Sequence, residues 1–194
     1  MSTEKIINSI RSLAVVNEEE LSVLAAHIQT RTLKKGEFFI QTGEICQEIA
    51  FVNSGMMRSY YITEQGEDFT YCVCFEDEFM SAYSSYITAK PAIENIQAIV
   101  DTELCIIQKS FIEKRSEESH NTTRLMRYFA EQYILDLEHR VFSYQKESAR
   151  TRYEYMLKNH PKYLSKIPLH YLASYLGITQ RHLSRIRKEI AHPH

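Results

Sequence analysis

The 194 residues carry 23 Lys and Arg against 25 Asp and Glu, a net charge of −2, with 44% apolar and 25% charged residues. That balance excludes a disordered chain and a uniformly cationic nucleic-acid coat, while the length allows one large domain or two small ones around a substantial core. No apolar run approaches the roughly 20 residues that cross a bilayer, and the opening MSTEKIINSI lacks a signal-peptide core, so the expected location is the cytoplasm, with no membrane partner.

Residues 3–28 read as helix, anchored by Leu13, Leu21, Leu24, Ala25 and Ile28, with Asn17 placed as a cap before Glu20. From Thr30 to Gln108 the pattern changes to that of strands. The runs TRTL, FFIQ, IAFVNS, MMRSYYI, DFTYCVCF, IQAIV and LCIIQ are rich in β-branched and aromatic residues, and Gly36, Gly43, Gly55 and Gly66 fall between the early ones. Short strands this closely spaced predict a sandwich or barrel of jelly-roll type. Cys46, Cys72, Cys74 and Cys105 lie here without CxxC spacing and read as reduced core thiols, with Cys72 and Cys74 on one face of a strand. Metal chemistry of the cupin kind needs His and carboxylate ligands on such strands, yet no histidine lies between His27 and His120. No strand–turn–helix elbow offers a nucleophilic Ser or Cys to a base either, so no enzyme, cofactor or metal site is expected.

Lys109 to Glu118 predicts a short helix. Asn121 to Lys146, about 26 residues without Gly or Pro, predicts a long one of roughly 39 Å. Leu125, Tyr128, Leu135, His139 and Phe142 fall near a seven-residue repeat, interrupted by Gln132 and His139, while Met126, Phe129, Tyr133 and Leu137 mark an adjacent face. Two apolar faces need two surfaces, and the expected ones are the β-domain and the same helix of a second copy, which makes a homodimer. Residues 148–167 read as a further helix ending before Pro161.

The stretch PLHYLASYLGITQRHLSRIRKEI, residues 168–190, has the grammar of a helix–turn–helix. Leu169, Leu172, Ala173 and Leu176 recur at helical steps behind Pro168, Gly177 supplies a positive φ, Ile178 plugs the corner and Thr179 caps the second helix. Leu183 and Ile186 form its inner face, leaving Gln180, Arg181, Ser184, Arg185, Arg187 and Lys188 for the outer ones. Cations that meet phosphate, beside Arg and Gln that address base edges, point to double-stranded DNA. Charge is distributed accordingly: residues 1–117 hold 10 Lys and Arg against 18 acids, whereas Ser148 onward holds 9 against 2. No β-hairpin wing is expected after this helix.

A jelly roll, a long connecting helix and a terminal helix–turn–helix together resemble the bacterial family of the cyclic-AMP receptor protein and the fumarate–nitrate reduction regulator, the Crp/Fnr transcription factors. The segment LASYLGITQRHLSRIRKEI is similar to the family's pattern of Ala, Leu-Gly, a Ser/Thr cap and a Ser-Arg pair. The resemblance implies an α+β chain: a cyclic-nucleotide-binding-like jelly roll with flanking helices over 1–118, a dimerisation helix over 119–147 and a DNA-binding domain over 148–194. It implies base contacts by Arg185 and contact near the backbone by Ser184. RNA polymerase is a further implied partner. At Arg181 the family usually has an acid that reads cytosine; arginine favours guanine or phosphate instead, so an altered operator is expected.

The family's cyclic-nucleotide pocket sets a Gly-Glu-Leu segment against the ribose and an Arg-Ser or Arg-Ala pair against the phosphate. The matching positions here are Asp77, Glu78 and Phe79, then Glu94 and Asn95, and Lys90 is the only cation between Glu76 and Asp101. A carboxylate beside the phosphate is repulsive, so cyclic AMP is not the expected effector. Glu78, Ser81, Tyr83, Ser84, Ser85, Glu94 and Asn95 would line a pocket for another small molecule. The rival reading is a small-molecule-sensing or protein-interaction module whose helix–turn–helix no longer binds DNA specifically.

Overall fold

The computed structural model describes residues 3–191. Helix α1 (Glu4–Ser12) buries Ile6, Ile7 and Ile10 along one face. It stops where Ala14 takes a left-handed φ of 53°. Helix α2 (Glu18–His27) then starts from a capping box, in which the Glu20 N–H donates to the Asn17 side chain and the Asn17 N–H to Glu20, both at 2.9 Å. The helical stretch expected over 3–28 is thus two helices, broken at the left-handed Ala14 and restarted at the Asn17 cap that the sequence marks.

Eight strands follow: β1 (Gln29–Leu33), β2 (Phe38–Ile40), β3 (Glu48–Ser54), β4 (Met57–Ile62), β5 (Asp68–Cys74), β6 (Phe79–Met80), β7 (Asn95–Ala98) and β8 (Thr102–Gln108), with helix α3 (Tyr83–Thr88) between β6 and β7. Antiparallel pairing builds two four-stranded sheets, in the orders β1-β8-β3-β6 and β2-β7-β4-β5. Val52, Met57, Ile96, Leu104 and Ile106 pack between them. The β3–β4 turn needs Gly55: at φ 99° a Cβ would lie 2.5 Å from the Thr102 hydroxyl oxygen. Strand β6 has no counterpart among the sequence runs, since two residues are too few for alternation to show.

Outside the β1-β8-β3-β6 sheet, Phe51, Cys105 and Ile107 pack on α1 and α2 and on Ile112 and Leu125 of helices α4 (Lys109–Glu118) and α5 (His120–Lys146). Leu125, Met126, Phe129 and Tyr133 of α5 turn toward the β-domain, with Phe129 4.6 Å from Phe79 and Tyr133 4.9 Å from Tyr83 between ring centroids. Every residue from 131 to 139 is nonetheless exposed. Ile134, Leu137 and Val141 form an apolar seam there at helical spacing, flanked by exposed Leu135 and Phe142. The rows read from the sequence are thus divided differently: Leu125 is buried against the β-domain, while Leu135 and Phe142, grouped with it by the repeat, face outward.

The remaining chain forms α6 (Ala149–Asn159), α7 (Pro161–Leu164), α8 (Leu169–Tyr175) and α9 (Gln180–Ala191). Pro161 opens a separate turn because it lacks the N–H needed to continue α6. Tyr153, Met156, Leu172, Leu176, Leu183 and Ile186 pack together and merge with Met56, Val73, Phe75 and Ile99, so this helical module shares a core with the β-domain.

Candidate nucleic-acid interface and ligand cavity

Helix α8 ends in a Schellman motif, in which Ile178 N–H donates to the Ala173 carbonyl at 3.0 Å and Gly177 N–H to that of Ser174 at 2.9 Å. Gly177 has a φ of 68°, and a Cβ there would also lie 3.0 Å from the Tyr144 ring. Thr179 caps α9 by accepting the His182 N–H at 3.2 Å. With Leu183 and Ile186 buried, Thr179, Gln180, Arg181, Ser184, Arg185 and Lys188 stand exposed on the other side.

Arg187 departs from the outer-face placement. It follows Ile186 and lies one turn beyond Leu183, so its stem crosses the inner ridge and its guanidinium sits 5.7 Å above the Tyr153 ring, with Nε buried. Arg185 lies 3.8 Å from Glu189, as does Arg150. Exposed pairs at that distance are worth little, which leaves Arg185 available to another anion.

A cavity of about 490 Å³ runs between α5 and the β-domain. At one end its wall comes from Ser59 on β4, Tyr71, Cys72 and Cys74 on β5, Glu78, Ser81 and Tyr83, and Tyr133, Asp136 and Arg140 on α5. Of the pocket residues expected from sequence, Glu78, Ser81 and Tyr83 are on this wall. Glu94 is buried behind it, accepting hydrogen bonds from the Tyr71 and Ser59 hydroxyls. Ser85 and Asn95 are buried and engaged in the framework: Ser85 Oγ accepts from Cys46 N–H at 3.0 Å and donates to the Lys90 carbonyl at 2.5 Å, and Asn95 Oδ1 accepts from Thr42 N–H at 3.0 Å. Ser84 is exposed on α3, off the cavity wall.

Ser59, Tyr71, Tyr133, Asp136 and Arg140 line the cavity without having been among the pocket residues expected from sequence. Ser59 pairs with Cys72 and Tyr60 with Thr70, so Tyr71 is the extra residue of a β-bulge, which aims its hydroxyl at Glu94. Such a bulge leaves no trace in hydrophobic alternation. Arg140 did leave one: it is the only Lys or Arg between Arg127 and Lys146, and it falls on the helix face marked by Phe129 and Tyr133. Burial pushes the Glu78 carboxyl above its ordinary pKa, and the nearby Asp136 charge adds to that. Burial likewise raises Glu94, partly offset by its two hydroxyl donors.

The β4–β5 ribbon has two working sides. Ser59, Tyr71 and Cys72 border the cavity, whereas Arg58 and Thr70 grip α8. Arg58 is only 2% exposed; it bonds Asp68 at 2.7 Å and Gln97 at 2.9 Å and lies between the rings of Tyr60 and Tyr171, at 3.9 and 3.4 Å. The Thr70 N–H donates to Ser174 Oγ at 2.6 Å. Arg140 adds a second junction, hydrogen-bonded to Cys72 and lying 5.7 and 5.6 Å from the rings of Tyr71 and Tyr175.

The architecture thus has two parts: a β-domain of two four-stranded sheets, then a long helix leading to a helix–turn–helix. Residues 30–119 match the family model of the cyclic nucleotide-binding domain. Over most of the chain the fold superimposes on FixK2 from Bradyrhizobium japonicum (TM-score 0.74, 16% identity, 84% of each chain covered). It also superimposes on a transcriptional regulator of the Crp/Fnr family from Eubacterium rectale (TM-score 0.69, 17% identity, 95% of this chain and 88% of that one). A third similar structure is the c-di-GMP responsive global regulator CLP of Xanthomonas campestris (TM-score 0.69, 13% identity, 90% and 92%). No curated protein matches the sequence. Residues 30–119 thus match a cyclic nucleotide-binding domain, and the chain around them shares the fold of the Crp/Fnr regulators; the resemblance read from the sequence holds at the level of the fold. Among the described residues no helix is long and apolar enough to cross a membrane.

Proposed function

We propose that the protein is a sequence-specific DNA-binding transcription regulator that acts as a homodimer through α5 and takes its signal from the cavity. The observation that carries this is the outer face of α9, where Gln180, Arg181, Ser184, Arg185 and Lys188 are exposed over a buried Leu183–Ile186 ridge. Lys188 would meet phosphate, while Arg181 and Arg185 would address guanine edges in the major groove. The Ile134–Leu137–Val141 seam would bring two copies together, so that two recognition helices meet half-sites about 34 Å apart.

The signal is not cyclic AMP in this reading. Glu94, in place of the arginine that would hold a cyclic phosphate, sits behind Tyr71, and Glu78 and Asp136 add negative charge at the same end. The likeness to FixK2 and CLP supports the regulator reading through fold alone.

Selection of a randomised duplex pool by the purified protein, at near-physiological salt, tests this. The expected product is an inverted repeat enriched in guanine at the positions facing Arg181 and Arg185. Failure to enrich any sequence would overturn sequence-specific binding by the ligand-free protein.

A further inference from the structure

We infer that the cavity takes an organic cation, an ammonium carried on an apolar body, with its charge between Glu78 and Asp136 and its body along α5. The inference rests on reading the cavity as the effector site and goes on to name the ligand's chemistry. Away from the barrel mouth the wall is apolar, made by Leu13, Leu24, Phe111 and Met126. At the mouth, Glu78 and Asp136 face the same space closely enough for the Asp136 charge to act on Glu78. Glu94 lies one layer behind.

Two arginines also line the wall, against three acids, Glu20, Glu78 and Asp136. Arg140 is turned to the Cys72 thiol and the rings of Tyr71 and Tyr175, and Arg115, at the opposite end, pairs with Glu118 at 2.8 Å. Glu20, at that end too, accepts from Ser119 and Asn121. Two carboxylates facing one cavity closely enough for one charge to act on the other repel each other, and a bound ammonium removes that repulsion. Tyr83 and Tyr133, 4.9 Å apart between centroids, offer ring faces beside the same acids, and ring faces attract a desolvated cation. An anionic or phosphorylated ligand meets the reverse field.

Calorimetric titration of the full chain without DNA, using octylamine, octanol and octanoate, holds the apolar body constant and varies only the head. Octylamine is protonated at neutral pH, as a lysine amine is. The expected order is octylamine about tenfold or more tighter than octanol, with octanoate weakest. Glu78→Gln combined with Asp136→Asn should remove the preference for octylamine over octanol. Asp136→Asn alone, on an exposed stretch of helix, should reduce that preference and provides the test if the double variant does not fold. Equal affinities, tightest binding of octanoate, or binding of none of the three overturns the inference. Because the titration contains no DNA, its failure is separate from a failure of duplex selection, which uses ligand-free protein.

Discussion

The outer face of α9 and the mouth of the cavity are both polar, but they handle charge in opposite ways. On the α9 face Arg181, Arg185 and Lys188 stand in water with at most loose ion pairs, so little must be undone before they meet an anion. At the cavity, Glu78 and Glu94 are withdrawn from water and held by the Phe75 N–H and by the Tyr71 and Ser59 hydroxyls. The first arrangement suits a large polyanion approached from solvent, where affinity is steeply salt-dependent. The second suits a small ligand selected by its fit to fixed groups.

The experiment with the largest expected effect separates the α9 surface from the partner copy of the proposed dimer. Ile134→Glu with Val141→Glu places charge on the exposed seam without touching the core, and sedimentation should show monomers. Operator affinity should fall about a hundredfold or more as bivalent engagement is lost. Dimers that persist in the double variant would rule out the seam as the interface. Next comes the contact joining the two regions: Arg58→Met leaves Asp68 without its guanidinium and removes a hydrogen-bonded side chain from between Tyr60 and Tyr171. Urea unfolding should show a loss of about 2 to 3 kcal/mol, moderated because Asp68 keeps a third of its side chain in water.

Arg185→Ala sharpens the comparison on the α9 side alone. Specific binding should weaken by about 1–3 kcal/mol with relaxed preference at one base pair, and melting should be unchanged because the side chain is exposed. Retained preference in duplex selection would remove Arg185 from base reading. The smallest effect belongs to the cavity. Glu94 is raised above its unfolded pKa, so the folded state holds that proton more tightly, and its stabilising contribution is full below about pH 4.5 and declines as pH rises through the folded pKa. Glu94→Gln keeps an acceptor for Tyr71 and should flatten that decline in a series of melts. An unaltered slope would assign the pH dependence to another group.

The sequence is informative where chemistry is local. Gly177 and Thr179 mark the α8–α9 corner within three residues, and Lys109–Glu118 is helical over the bounds that its pattern predicts. Strands with β-branched or aromatic runs are equally legible. The cavity is not, because its groups arrive from β4, β5, the turn before β6 and α5, and the Tyr71 bulge depends on cross-strand register. Ser84 and Ser85 show the complementary failure. Adjacent in sequence and alike in chemistry, they point one to solvent and one into the framework, because helix α3 turns between them.

The two-sided ribbon carries a thermodynamic obligation. Strands β4 and β5 present Ser59 and Tyr71 to one region and Arg58 and Thr70 to the other, so the two regions share one ribbon. If a cavity ligand changes DNA affinity by some factor, then DNA must change the affinity for that ligand by the same factor. Titrating the ligand with and without operator would therefore measure the coupling from the end where the sequence is least legible.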